Sequence, residues 1–146
     1  MISALKHPDL YECAASLNGI SDLYSAVAEG RRYVGGLYYR RHIGRLWEGK
    51  ELDRNSPINE QLRKAVPLML TASEQNRIVS PRQSRRMYNA LRKSNIPVEF
   101  GELPQGDHFL SREENRPSFA HALLRFLDQR LGKPQQQLAQ AISSSQ

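Results

Sequence analysis

The side chains best suited to chemistry in this sequence are an asparagine and a histidine that each follow a predicted buried strand. Asn76 lies in the polar segment 73–79, and His108 lies in the polar segment 104–110. An imidazole can act as a general base when a second side chain fixes its orientation and a nucleophile lies beside it. The pair therefore supplies two thirds of a nucleophile-activating triad, provided that the fold brings the two segments together.

The elements that must position this pair alternate in the second half of the chain. Residues 66–72 and 98–103 predict two buried strands, and residues 81–95 between them predict a helix. Strand and helix in alternation indicate parallel strands covered by helices, whose carboxyl ends share one edge of the sheet. We therefore expect Asn76 and His108 to lie within side-chain reach of each other.

The first half of the chain has weaker patterns. Residues 1–8 read as the end of a helix, and the mostly apolar stretch 11–17 predicts a strand that enters a turn at Asn18-Gly19. Helices are expected near 22–28 and 37–47 within an otherwise irregular, polar region. The fold class predicted for the whole is α/β.

Two later helices begin with capping signals. Ser80 with Gln83, and Ser111 with Glu114, have the spacing of a capping box, although Pro117 should break or restart the second helix. That second helix is predicted to bury a stripe formed by Phe119, Leu123, Phe126, Leu127 and Leu131.

Length and composition narrow the classes of protein. The chain has 146 residues, a net charge of +6 and 39% apolar residues, which indicates one globular domain or a piece of one. The single cysteine, Cys13, excludes an internal disulfide framework and a cysteine-based zinc site. No apolar run is long enough to span a bilayer, and no signal segment follows Met1. We expect a cytoplasmic location, no membrane, and neither metal ion nor cofactor.

The positive charge is concentrated between residues 31 and 50. Basic and aromatic side chains alternate there, a composition that suits single-stranded nucleic acid, but no nucleic-acid-binding motif accompanies them. A solvated basic helix with aromatics facing the core is the expected explanation, and nucleic acid is an unlikely partner. The residues concerned are Arg31, Arg32, Tyr33, Tyr38, Tyr39, Arg40, Arg41, Arg45, Trp47 and Lys50.

Several stretches resemble one family, the prolyl oligopeptidase family of serine peptidases (peptidase family S9). The resemblance covers about residues 1–132. It rests on Lys6–Tyr11, Gly19–Leu23, Asn55–Asn59, Val66–Leu70, Arg77–Val79, Gln83–Tyr88, Pro97–Phe100, Glu102–Pro104 and, most specifically, Gly106–Arg116.

This resemblance implies part of an α/β-hydrolase fold, namely its C-terminal parallel strands with flanking helices, and cleavage of peptide substrates through an acyl-enzyme. His108 falls on the family's catalytic histidine. In this family the loop that carries the catalytic acid has the motif His-Gly-x-x-Asp-x-x-Val. The corresponding segment of this chain is Ala72–Val79, so Asn76 occupies the position of the acid. In a serine protease the corresponding Asp-to-Asn change lowers turnover about 10⁴-fold because it holds the wrong imidazole tautomer.

The family's nucleophile elbow, Gly-x-Ser-x-Gly-Gly, is expected on the amino-terminal side of Met1, and the sequence contains none. We therefore expect the chain to be a truncated reading frame or a degenerate copy, inactive alone. Residues 1–132 would form the C-terminal portion of the hydrolase domain, and the Gln/Ser-rich tail 133–146 would be disordered. Because strands would be missing, an exposed sheet edge could lead to self-association, and a non-catalytic interaction protein is the alternative.

Three other residues are weaker candidates for chemistry. Ser3 has no flanking glycines for a strained elbow, and Cys13 is expected to be a small buried residue in the middle of its strand. Asp22 follows the first strand at the same sheet edge, so it could orient His108 as a substitute acid. An N-terminal helix cap is its expected role.

Overall fold

The computed structural model describes residues 1–30, 36–60 and 62–132. Three strands form one sheet in the order β1-β2-β3: β1 is Ala14–Leu17, β2 is Leu68–Ser73 and β3 is Val98–Leu103. Both neighbouring pairs are parallel, with Ala14 opposite Leu68 and Leu68 opposite Val98. The prediction of parallel strands flanked by helices is confirmed.

Six α-helices accompany the sheet in the described residues. They are α1 (Ile2–Lys6), α2 (Leu23–Glu29), α3 (Gly36–His42), α4 (Gly49–Arg54), α5 (Arg82–Lys93) and α6 (Asn115–Leu131). Short 3₁₀ turns span Pro8–Leu10, Leu46–Glu48, Pro57–Asn59 and Leu62–Lys64. No helix within residues 1–30, 36–60 and 62–132 has the length and apolar content that crossing a bilayer requires.

The central strand β2 is buried along its whole length, as expected for a parallel strand covered on both faces. Helix α5 supplies Met87 and Leu91 to the main core, where they pack with Leu68 and Leu70. Helix α6 packs against β2 and β3 and fully buries Phe126. A second core lies under the first-half helices and contains Ala26, Val27, Tyr39, Leu52 and Val79.

Strand β1 is shorter than the predicted stretch 11–17. Its pairing begins where the Ala14 backbone N–H donates to the Pro67 carbonyl, because Pro67 has no N–H with which to extend the ladder further. Cys13 therefore lies just before the strand and is half-buried, so its prediction as a buried mid-strand residue was wrong.

The region 37–60 contains more helix than its sequence predicts. Helix α3 ends at His42 rather than near 47, because Gly44 has φ +147°, which no helical residue adopts. A 3₁₀ turn and then α4 follow, and α4 was not predicted. Its Leu52 is buried in the second core, so tertiary packing stabilises a helix with a mostly charged sequence.

Both predicted capping boxes are wrong. Helix α5 has no side-chain cap, because the Gln83 Oε1 accepts from the backbone N–H groups of Ser21 and Asp22 instead. The buried Ser80 hydroxyl has no partner within the described residues. At α6, the Ser111 backbone N–H donates to Asp107, and the helix begins only at Asn115.

The expectation that Pro117 breaks α6 is also wrong. Pro117 lies in the first turn of the helix, where a backbone N–H has no intrahelical acceptor to lose. The predicted α6 stripe is only partly buried. Phe126 is fully buried, whereas 44% of Leu131 is exposed to solvent.

Candidate active site

His108 lies on the loop that follows β3, at the carboxyl edge of the sheet. The backbone is left-handed on both sides of it, with φ +51° at Gln105 and +54° at Leu110. Gly106 lies so close to its surroundings that a Cβ there would come within 2.7 Å of the Asn115 Nδ2 and 3.1 Å of the Leu103 carbonyl oxygen. The loop that carries His108 therefore has a specific, constrained course.

Asn76 lies on the neighbouring loop after β2 and is 4% exposed. Its Oδ1 accepts hydrogen bonds from the backbone N–H groups of Ile78 and Val79, both at 2.9 Å. Only the oxygen of the amide can accept, so these two donors fix its orientation. The Nδ2 then points at the Nδ1 of His108, 3.1 Å away. The prediction that the two side chains meet is confirmed.

This contact determines where the imidazole carries its proton. Since the Asn76 Nδ2 is a donor, the His108 Nδ1 must accept with its lone pair. A neutral imidazole then has its proton on Nε2. An aspartate at position 76 would instead accept from an Nδ1–H and leave a lone pair on Nε2. Asn76 and His108 are thus placed like a histidine–acid pair, but residue 76 donates the hydrogen bond and the imidazole accepts it.

The loops that carry Asn76 and His108 are tied together along their lengths. The Glu74 backbone N–H donates to the Leu103 carbonyl, and the Gln75 backbone N–H donates to the Gly106 carbonyl. In return, the Gln105 backbone N–H donates to the Glu74 carboxylate at 3.1 Å. These contacts continue the pairing of β2 with β3 beyond the ends of the strands.

Asp107 organises the second half of the His108 loop. Its Oδ1 accepts from the backbone N–H groups of Phe109 at 3.1 Å and of Ser111 at 2.9 Å. Hydrogen bonds to the charged form stabilise that form, so Ser111 chiefly, with help from Phe109, lowers the pKa of the Asp107 carboxyl below its usual 3.8.

Asp22 caps α2, as expected. Its Oδ1 accepts from the Ser25 backbone N–H at 2.8 Å, and its Oδ2 lies 3.3 Å from Arg86. Neither of these contacts involves His108. The role of a substitute acid stays a prediction.

No serine or cysteine of residues 1–30, 36–60 and 62–132 forms a hydrogen bond with the His108 ring. Cys13 precedes β1, at the end of the sheet opposite to His108, and burial raises the pKa of its thiol. Ser3 lies in α1. Within the same ranges, no group of three His, Cys, Asp or Glu side chains is placed to hold a metal ion.

Two cavities open beside His108. One, of about 340 Å³, has mainly apolar walls that include Ile20, Tyr38, Ile43 and Val79. The other, of about 390 Å³, includes Gln75, Arg77, Asp107 and Phe109. The apolar wall was not predicted, because its members come from three separate parts of the chain and no local pattern links them.

Part of the basic segment lies in the described residues. Tyr39 is buried, and its hydroxyl donates to the Ile78 carbonyl at 2.6 Å, so this aromatic faces the core as expected. The same expectation is wrong for Tyr38 and Trp47, which are 61% and 75% exposed, with the Arg45 guanidinium over the Trp47 ring. Arg31, Arg32 and Tyr33 lie outside the described residues, as does the tail 133–146, and the predictions for them stay predictions.

Two solved structures that contain the same arrangement of elements are peptidases. The acylaminoacyl peptidase of Pyrococcus horikoshii matches 88% of this chain with a TM-score of 0.77 and 23% identity, over 22% of its own length. A puromycin-hydrolysing peptidase of Mycobacterium tuberculosis matches 90% of this chain with a TM-score of 0.77 and 25% identity, over 20% of its own length. The three strands and their helices therefore form part of an α/β-hydrolase fold.

The sequence comparisons agree with the structural ones. The dipeptidyl aminopeptidase BIII of Pseudoxanthomonas mexicana is 25% identical over 134 residues, which are 86% of this chain and 19% of that protein. The chain thus spans about a fifth of the length of the relatives that it matches. The family model for the prolyl oligopeptidase family (peptidase S9) matches residues 1–134. By this match over most of its length, the chain belongs to the prolyl oligopeptidase family.

Proposed function

We propose that this chain carries the histidine of a serine-type peptidase site and that, on its own, it does not hydrolyse peptides. The observation that carries the proposal is the contact between the Asn76 Nδ2 and the His108 Nδ1. We infer peptides as the substrate class because the relative from Pseudoxanthomonas mexicana is a dipeptidyl aminopeptidase and the family is one of peptidases.

The chemistry of the family explains why this contact matters. The histidine takes the proton of a serine hydroxyl on its Nε2 while the serine attacks the peptide carbonyl, and it later returns that proton to the leaving amine. This needs a lone pair on Nε2, which an acceptor opposite Nδ1 secures. Asn76 presents a donor there, so His108 holds its proton on the nitrogen that should accept one.

The same proposal is supported by the lack of a recognisable nucleophile in this sequence and in the described contacts of His108. The sequence contains no Gly-x-Ser-x-Gly-Gly, and no serine or cysteine of the described ranges bonds to the His108 ring. With neither an attacking oxygen beside the ring nor a base in the correct tautomer, the acyl-enzyme route has no first step.

The experiment has two readouts on the purified 146-residue chain. Long-range ¹⁵N NMR of the His108 ring reports which nitrogen is protonated, with a His108→Ala chain to assign the signals and His121 as an exposed internal reference. We expect the proton on Nε2. Labelling with a fluorophosphonate and hydrolysis of aminoacyl and prolyl chromogenic peptides are both expected to match the buffer blank. A proton on Nδ1, or hydrolysis that His108→Ala abolishes, would contradict the proposal.

A non-catalytic interaction protein is the second candidate function. In the described residues β1 and β3 each pair only with β2, which leaves the outer edge of both strands without a strand partner. Unpaired edges favour association with another chain. Sedimentation velocity over a range of concentrations tests this. Self-association should appear as a rising sedimentation coefficient, and a single monomer boundary with cooperative melting would argue against it.

The extent and location of the domain belong to the same proposal. Residues 1–132 would be the C-terminal portion of a hydrolase domain, since helix α6 ends at Leu131 and the family model ends at 134. The proposed location is the cytoplasm, where the single thiol of Cys13 would stay reduced.

A further inference from the structure

Asn18 stands immediately after β1 and continues the pairing of that strand through its side chain. Its backbone N–H donates to the Thr71 carbonyl at 2.8 Å. Beyond this point the side-chain amide of Asn18, and not the main chain, pairs with β2. Its Oδ1 accepts from the Ser73 backbone N–H at 2.8 Å, and its Nδ2 donates to the Ser73 hydroxyl at 3.0 Å. The ends of β1 and β2 are thereby joined.

The same Nδ2 has a second acceptor. It lies 3.4 Å from the carbonyl oxygen of His108, a longer contact than the one to Ser73. An amide nitrogen carries two N–H groups, so both acceptors can be served at once. Asn18 therefore reaches from the end of β1 to the loop after β3.

Ser73 is also the root of the loop that carries Asn76, because its carbonyl accepts from the Asn76 backbone N–H at 3.2 Å. One side chain thus contacts the base of the Asn76 loop and the main chain of His108. Those two loops form the 3.1 Å contact that determines the imidazole tautomer.

The local backbone explains why an asparagine suits this position. Asn18 has φ +52°, a left-handed conformation that asparagine and glycine tolerate better than other residues. The next residue, Gly19, has no room for a Cβ because the Ser16 hydroxyl occupies that space. The sequence pattern of Asn18-Gly19 predicts only a turn. In the folded chain the turn also aims a 6%-exposed amide at the end of β2 and at the loop after β3.

We propose that Asn18 is a positioning residue for His108: it fixes the histidine loop relative to the Asn76 loop through the Ser73 and His108 main chains. Its catalytic meaning rests on the function proposed above. The positioning itself is a property of the folded chain and can be measured without any enzymatic activity.

Three variants separate positioning from general stability. Asn18→Gly removes all side-chain contacts and keeps the left-handed backbone. Asn18→Asp keeps an acceptor for the Ser73 backbone and loses the N–H groups; it serves as the test variant if the glycine variant does not fold. Ser73→Ala is the matched control. It removes the hydroxyl that Asn18 contacts, but leaves the Nδ2 free to donate to the His108 carbonyl.

The readouts are the ¹⁵N and ¹³C signals of the His108 ring and the exchange rate of the Asn76 side-chain amide protons. In the Asn18 variants we expect the His108 signals to shift or broaden and the Asn76 exchange to rise roughly three- to tenfold. Ser73→Ala should lower the melting temperature and leave both readouts at their wild-type values. If His108 is unchanged in a folded Asn18 variant, or moves equally in Ser73→Ala, the positioning role is wrong.

This outcome is independent of the proposed function. A wild-type ring with its proton on Nδ1 would overturn the tautomer argument, and the response of His108 to the Asn18 variants could still be measured. Conversely, a ring with the proton on Nε2 that ignores Asn18 would leave the proposed function intact and remove only the positioning role.

Discussion

The Asn76 amide donates to the His108 Nδ1 across 3.1 Å, and two backbone N–H groups hold the other end of that amide. The residue therefore cannot rotate by half a turn to offer its oxygen to the ring without leaving the Ile78 and Val79 N–H groups unpaired. A buried donor without an acceptor costs about 1–3 kcal/mol. The tautomer of His108 is thus built into the loop.

A carboxylate at position 76 should reverse the tautomer of His108. In Asn76→Asp one oxygen still accepts from the Ile78 and Val79 backbones, and the other presents an acceptor to the His108 Nδ1. We expect ring ¹⁵N spectra to show the proton on Nδ1 and the lone pair on Nε2. Asn95→Asp is the control, since it makes the same chemical change at an exposed left-handed residue. A ring that keeps its Nε2 proton in Asn76→Asp would show that residue 76 does not determine the tautomer.

The His108 loop should become less ordered in acid because of Asp107. Its folded pKa is lowered below 3.8, so its contribution to the loop is present above the pKa of the unfolded chain and is lost as the pH falls through the folded value. Hydrogen-exchange protection of the Phe109 and Ser111 amides should therefore decrease as the pH falls below 3.8.

Asp107→Asn removes the charge at every pH. In this variant the exchange protection of the Phe109 and Ser111 amides should be weaker than in wild type near neutrality and nearly constant across the acid range. Glu113→Gln is the control, because Glu113 is an exposed carboxylate of the same loop. Equal pH profiles for wild type and Asp107→Asn would show that another group carries the effect.

Gly106 should not tolerate a side chain. In Gly106→Ala the new methyl group would approach the Asn115 Nδ2 and the Leu103 backbone too closely, and the backbone of Leu103 cannot move without disturbing the end of β3. Overpacking of this kind costs about 1–3 kcal/mol, which thermal unfolding measures. Gly101→Ala is the control, since a methyl group there would have its nearest neighbour, the Thr71 hydroxyl, 4.0 Å away. Similar melting temperatures for the two variants would contradict the close packing.

Gln83 should be important for stability although it is polar and lies in a helix. Its Oε1 accepts from the Ser21 and Asp22 backbones, and its Nε2 donates to the Ser25 hydroxyl at 2.8 Å. Gln83→Ala removes the acceptor of the Ser21 and Asp22 backbone N–H groups at a position that is 1% exposed, and a buried donor without an acceptor costs about 1–3 kcal/mol.

Chemical denaturation measures the loss. Asn89→Ala, on the exposed face of the same helix, is the control and should change the free energy of unfolding by less than about 0.5 kcal/mol. Equal stability of the two variants would mean that water replaces the lost Gln83 hydrogen bonds at no cost.

The elements nearest the site could be predicted from the sequence. Strands β2 and β3 and helix α5 lie close to their predicted ranges because each has a compact apolar pattern with a clear end. The shorter β1 and the additional helix α4 could not be predicted, because the first is limited by the reach of its partner strand and the second is stabilised by one buried leucine.

The sequence by itself determined the alternation of strands and helices, the meeting of Asn76 with His108 and the family to which the chain belongs. These follow from local apolar periodicity, from the common edge of parallel strands and from a motif contiguous in sequence. Tertiary structure alone decided the other long-range polar pairs. Gln83 bonds to Ser21 and Asn18 bonds to Ser73, across separations of 62 and 55 residues. Such pairs depend on which elements the fold places side by side, and no local sequence pattern encodes this placement.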